Sequence, residues 1–201
     1  MLPYLASRLR AGSAAASGPC DALLAALPRL LLLPRGAPQR GLPSSVTVYE
    51  VGPRDGLQNE AKVSMADTIG TGTPAAMEAM LQATLRHVPA AALAVHCHDT
   101  YGMAIANISS ALRLGISVVD SSVAGLGGCP YARGATGNVA TEDVMYLLDG
   151  YGIRHGLDWD AVLAASEYIS GALGRPNGSR VARALLAKRA DAASKAAAVV
   201  A

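Results

Sequence analysis

From Val46 onward the chain alternates short β-branched segments with longer segments of helical period, and this alternation limits the fold more than any other feature. Val46 to Val51 (VTVYEV) reads as a strand ended by Gly52 and Pro53. Thr73 followed by Pro74 is an N-cap with proline at the first helical position, and Ala75 to Val88 keeps helical spacing until Pro89. Ala91 to His98 reads as a buried strand, Met103 to Leu114 as a helix closed by Gly115, and Ile116 to Ala124 as another strand. A glycine-rich loop follows from Gly125 to Asn138; Thr141 then caps a helix running to Gly150, with Asp143 in its first turn. Asp158 to Leu173 and Ser179 to Ser194 complete the helical set. Strands and helices taken by turns imply parallel strands with helical crossovers, hence an α/β sheet or (β/α) barrel with its functional loops at the strand C-termini.

Composition narrows the classes of function. Hydrophobic residues make up 51% of 201 and charged residues 16%, with no long polar tract, so most of the chain can fold. The net charge is +2 and the basic residues are scattered, which gives no nucleic-acid footprint. The longest apolar runs, Ala22 to Leu27 and Leu30 to Leu33, fall short of the ~20 residues a bilayer requires, so no membrane span is expected. Cys20, Cys97 and Cys129 have no CxxC spacing and point to a reducing compartment rather than a disulfide framework.

One folded domain is expected: residues 1–45 read as a targeting presequence outside the fold and residues 46–201 as a truncated barrel domain. The first segment carries Arg8, Arg10, Arg29, Arg35 and Arg40 against one acid, Asp21, and no lysine. An Arg-rich, acid-poor segment of this kind fits a basic amphipathic helix read by organellar import, and the expected location is the mitochondrial matrix.

The candidate chemistry lies in three segments. His96 and His98 are two apart on a strand, so both imidazoles share one face. Such a face can hold one metal ion, although chance surface strands carry the same pattern; Asp99 and the place at a strand end add weight. Arg54 and Asp55 sit at the mouth of the first strand, where a carboxylate can ligate a hard cation and a guanidinium can neutralise an oxyanion; a local ion pair in a surface turn is the plain alternative. Mixed imidazole and carboxylate donors suit Mg²⁺, Mn²⁺ or Zn²⁺, and the lack of thiolate donors favours the harder ions. Cys129 rides on the glycine-rich loop, which must either be mobile or wrap closely around a ligand. A thiol there is either a proton donor or acceptor, or an inert small residue.

Read together, the segments Val51-Gly-Pro-Arg-Asp-Gly-Leu-Gln-Asn-Glu60, Asp67-Thr-Ile-Gly70, Ala94-Val-His-Cys-His-Asp-Thr-Tyr-Gly102, Val118 to Tyr131 and Gly137-Asn-Val-Ala-Thr-Glu-Asp143 resemble the 3-hydroxy-3-methylglutaryl-CoA lyases. The likeness covers about Thr47 to Ala187. It implies a TIM barrel that cleaves this acyl-CoA to acetyl-CoA and acetoacetate, in leucine degradation and ketone-body formation. The divalent cation would be Mg²⁺ or Mn²⁺. By the same resemblance Asp55, His96, His98 and Asn138 are the metal ligands. Arg54 binds substrate and stabilises the leaving enolate, Cys129 protonates that enolate, and Asp67 or His96 moves the hydroxyl proton. A homodimer is the assembly the resemblance allows.

One departure stands out against that family. Glu60 and Asp67 are separated by only six residues, where three or more βα units, on the order of 150 residues, belong in a closed barrel. The join falls at Ala61 to Ala66, and three or four strands are expected where eight are needed. The expected chain is therefore an impaired lyase with central units missing. The alternatives are a non-catalytic splice remnant that associates with the full-length enzyme, and a related acyl-CoA condensing enzyme.

Overall fold

The computed structural model describes residues 36–51, 63–128, 134 and 136–200. Four strands form one sheet: β1 (Thr47–Glu50), β2 (Val63–Asp67), β3 (Leu93–Cys97) and β4 (Val118–Ser121). All pairs are parallel and the order is β1-β4-β3-β2. Helices α1 (Pro74–Leu85) and α2 (Ala104–Arg113) make the two crossovers that parallel pairing requires, from β2 to β3 and from β3 to β4. Three helices follow β4: α3 (Thr141–Gly150), α4 (Trp159–Leu173) and α5 (Arg180–Val200).

In this order β2, β3 and β4 are sequential neighbours, and the first strand returns beside the last. A barrel closes that way, whereas a doubly wound sheet reverses its order at a central strand. The four strands are thus an arc of a TIM barrel, and among the described residues β1 and β2 are its two open edges.

Register explains which face is buried. Met65, Val95, Val119 and Val48 lie in one row across the sheet, with Val95 and Val119 fully buried. Leu81 of α1, Ile108 and Leu112 of α2 and Leu148 of α3 belong to the same core. Each such side chain removed from water contributes about 1.5–3 kcal/mol, so the helix-covered face is the main source of stability. The next row, Ala66, His96, Asp120 and Tyr49, faces the barrel interior. Ala66 and Tyr49 are exposed there because four strands cannot enclose a lumen.

Most elements fall where the sequence places them, with ends shifted by a few residues; the last helix runs on to Val200, beyond the expected Ser194. The Thr73 hydroxyl accepts from the Ala76 N–H and Pro74 occupies the first helical turn. Asp158 caps α4 by accepting from the Ala161 N–H at 2.8 Å. Strand β2 is the element missing from the sequence reading, which passes from the first strand to Ala91; its Val63 and Met65 alternate with Ser64 and Ala66, a weak period-2 signal next to the junction. Thr141 is the first residue of α3 rather than its cap, and its hydroxyl instead bonds Glu50 at 3.0 Å and Ser121 at 2.8 Å.

Candidate metal centre

Because every strand is parallel, the loops after β2, β3 and β4 open at the same end of the sheet. At the end of β3, period-2 geometry sends His96 and His98, the residue just past the strand, to one face, and their Nε2 atoms stand 3.2 Å apart with the rings tilted at 56°. Asp120 occupies the position on β4 in register with His96, and its Oδ2 lies 3.2 Å from His96 Nδ1. The same oxygen accepts from the Ser64 hydroxyl of β2 at 3.1 Å, so three strands meet at one carboxylate.

Asn138 reaches this place along the backbone. The chain after the glycine loop runs antiparallel beside the end of β3, with the Val139 N–H donating to the Cys97 carbonyl at 3.0 Å and the Asp99 N–H donating to the Gly137 carbonyl at 2.9 Å. That pairing sets Asn138 opposite His98. The Asn138 amide donates to the Leu126 carbonyl at 3.0 Å, while its Oδ1 is buried with no hydrogen-bond partner among the described residues. The loop closes tightly on this side chain: Gly127 sits at φ +116°, and a Cβ there would meet Asn138 Nδ2 at 2.5 Å.

These residues fit a hard divalent cation. Two nitrogens bound side by side to one ion at about 2.1 Å lie roughly 3.0–3.4 Å apart, which matches the His96 and His98 pair. A carboxylate on the remote nitrogen of a ligating histidine is the usual second partner, and Asp120 supplies it for His96. The buried Asn138 oxygen is an acceptor with no proton donor among the described residues, the state a cation would relieve. Among the described residues no group of three or more His, Cys, Asp and Glu converges on one point. Arg54, Asp55 and Cys129 lie outside the described residues.

Asp67 and Asp99 have local work to do. Asp67 Oδ1 accepts from the Gly70 N–H at 3.1 Å and the Thr71 N–H at 3.3 Å, and its Oδ2 accepts from the Gly72 N–H at 2.9 Å. Its carboxylate is therefore turned into its own loop, and its strand position pairs with Cys97 rather than with His96. Asp99 accepts from the first N–H of α2, that of Ala104, at 3.0 Å and pairs with Arg180 at 3.2 Å. Cys97 packs in the core, and burial, with Asp67, Asp120 and Asp99 nearby, pushes its thiol up to about 12.

Three acids that sequence reasoning did not single out shape the centre: Asp120, Glu50 and Glu142. Glu142 is fully buried and accepts the Ala124 N–H with both oxygens at 3.1 Å, holding Ala124 at a left-handed φ of +58°. Burial pushes the Glu142 carboxyl up. Glu50 accepts the adjacent Val123 N–H at 2.8 Å. Together they fix the turn from which the glycine-rich loop departs. The available signal was an acid within an apolar run, as in Val-Val-Asp120. Beside Asn138 a cavity of about 300 Å³ is lined by Asp99, Asp143, Arg175, Arg180 and Arg183 among others, giving it a net positive lining.

A family model described as HMGL-like matches residues 46–169. Rat mitochondrial hydroxymethylglutaryl-CoA lyase is 54% identical over 149 residues, covering 74% of this chain and 46% of that protein. A rat cytoplasmic 3-hydroxy-3-methylglutaryl-CoA lyase is 48% identical over 156 residues, covering 78% of this chain and 46% of that protein. The crystal structure of hydroxymethylglutaryl-CoA lyase from Pseudomonas aeruginosa aligns with a TM-score of 0.62 at 57% identity, covering 64% of this chain and 43% of that chain. The chain spans about half the length of the curated relatives it matches.

Proposed function

This chain belongs to the HMGL-like family, and we propose that it carries the metal centre of a lyase acting on 3-hydroxy-3-methylglutaryl-CoA, with turnover impaired by the absent barrel units. The observation that carries this reading is the His96, His98 and Asn138 donor set with Asp120 behind it. Metal dependence is general in the family; Mg²⁺ or Mn²⁺ is our reading of the ion, because oxygen and imidazole donors without thiolates suit hard cations. His96, His98, Asn138 and Asp55, four residues past Val51, would hold it. When bound, the cation would polarise the substrate's tertiary hydroxyl and carboxylate.

The chain's own residues then divide the proton and charge work. Asp67 and His96 are the two candidates for moving the hydroxyl proton: both Asp67 oxygens accept N–H groups of its own loop, while the His96 imidazole would have Nε2 on the cation and Nδ1 on Asp120. Loss of that proton drives a retro-Claisen cleavage: the C–C bond breaks, acetoacetate forms, and the electron pair passes to the thioester enolate. Arg54 neutralises that enolate and Cys129 delivers a proton to its carbon, giving acetyl-CoA. The arginine-lined cavity beside Asn138 supports an anionic acyl-CoA as partner. Residues 1–45 would direct the chain to the mitochondrial matrix, supported by their five arginines against one acid.

The test is a coupled acetoacetate assay on the purified chain with Mn²⁺, alongside Mn²⁺ binding and the Pseudomonas aeruginosa relative as reference. Mn²⁺ binding that His98→Ala abolishes, with cleavage far below the reference, is expected. Absence of Mn²⁺ binding refutes the reading, and condensation products would favour a synthase instead. The two open strand edges favour a second reading, a non-catalytic chain that associates with a full-length lyase; co-purification with that enzyme tests it.

A further inference from the structure

The geometry points to Asp120 as the positioning residue that sets the tautomer of His96 and so makes His96 Nε2 available to a divalent cation; this rests on the metal-binding reading above. Asp120 is a charged side chain on a strand whose neighbours Val118, Val119 and Ser121 are buried, a placement that costs stability unless the carboxylate has a partner. Its partners are specific. The register sets Asp120 directly across from His96, and the 3.2 Å contact is to Nδ1, the nitrogen that points away from His98. Both side chains are mostly shielded, at 15% and 16% exposure, so solvent competes weakly for either.

An ionised carboxylate has no proton to donate and can only accept. The neutral imidazole facing it must therefore carry its proton on Nδ1, which leaves Nε2 with a free lone pair. That lone pair is aimed at His98 Nε2, 3.2 Å away, where the metal centre lies. Ser64 holds the acceptor in place by donating its hydroxyl to the same Oδ2 at 3.1 Å, from the strand on the other side of His96. Without the carboxylate the proton is free to move to Nε2, where it blocks coordination. An asparagine at this position can turn its NH₂ toward Nδ1 and select that wrong tautomer outright.

The experiment combines ¹⁵N imidazole NMR on the metal-free full chain with Mn²⁺ binding followed by EPR, for the natural sequence, Asp120→Asn and Ser64→Ala. The expected result is His96 protonated on Nδ1 in the natural sequence and on Nε2 in Asp120→Asn. Mn²⁺ affinity should fall 10–100-fold in Asp120→Asn, and less in Ser64→Ala. A natural sequence with the proton on Nε2, or Asp120→Asn binding Mn²⁺ within twofold of it, overturns the assignment. Should the natural sequence bind no Mn²⁺, the metal reading fails, while the His96 tautomer still decides the role of Asp120. If Asp120→Asn does not fold by circular dichroism, the natural-sequence tautomer again decides.

Discussion

Replacing Asp67 separates a loop anchor from a free base. Its carboxylate accepts three backbone N–H groups, from Gly70, Thr71 and Gly72, at 2.9 to 3.3 Å, in a half-buried setting. A hydrogen bond to a charged group contributes about 1.5–3 kcal/mol when shielded, and partial exposure reduces this toward about 1 kcal/mol each. Asp67→Ala deletes all three bonds, a loss of about 3 kcal/mol. Asp67→Asn keeps the Oδ1 acceptor for Gly70 and Thr71 but presents an NH₂ to the Gly72 N–H, a loss of about 1–1.5 kcal/mol. At about 2–4 °C per kcal/mol for a domain of this size, Tm should fall by roughly 6–12 °C for the alanine and roughly 2–6 °C for the asparagine. Thermal melts followed by circular dichroism at 222 nm read both. Variants that melt with the natural sequence would refute the anchoring role and return Asp67 to the list of free proton carriers.

Other perturbations follow from the same contacts. Cys97, with its thiol pushed up to about 12, should remain unmodified by iodoacetamide at pH 8 in the native chain, because only about one part in ten thousand is thiolate; peptide mass spectrometry checks this. The Glu142 carboxyl is raised by burial, so the native state holds its proton more tightly than the unfolded state, and this group's contribution to stability falls as pH rises above the ordinary carboxyl range. Glu142→Gln keeps an acceptor for the Ala124 N–H and should flatten that part of the stability profile, read from urea melts between pH 4 and 8. Val63, 52% exposed on the open edge strand β2, should promote self-association, and Val63→Lys should lower the weight-average sedimentation coefficient at a given protein concentration.

Sequence periodicity revealed those parts of the fold whose physics is local. Thr73 with Pro74, the Gly115 stop and the His96 and His98 alternation each depend on a few adjacent residues, and each appears where the chain alone places it. Strand β2 was hidden because Val-Ser-Met-Ala-Asp has one face of small residues, and its strand character comes from pairing with β3. Asp120 was hidden for a related reason. Nothing in Val-Val-Asp-Ser tells which strand will stand opposite, and the carboxylate acquires its meaning only when register puts His96 across from it. Glu142 reads as an ordinary first-turn acid until tertiary packing buries it against Ala124.

The centre and the barrel depend on different parts of this chain, and that makes binding and turnover separable. His96, His98, Asp120 and Asn138 are tied together by β3, β4 and the segment paired along the end of β3, all within 44 residues of continuous chain from Val95 to Asn138 and backed by the helix-covered core. Besides β3 and β4, only β2 supports them, through the Ser64 hydroxyl on Asp120. An acyl-CoA pocket is different, because in a barrel it is assembled from loops all round the mouth, and an arc of four strands supplies about half of the walls. Loss of barrel units should therefore weaken substrate binding and turnover much more than metal binding. In a longer relative with all its staves, the equivalent Asp→Asn change should reproduce the metal-affinity loss expected in this chain, because the contacts that set it lie within the arc both proteins share.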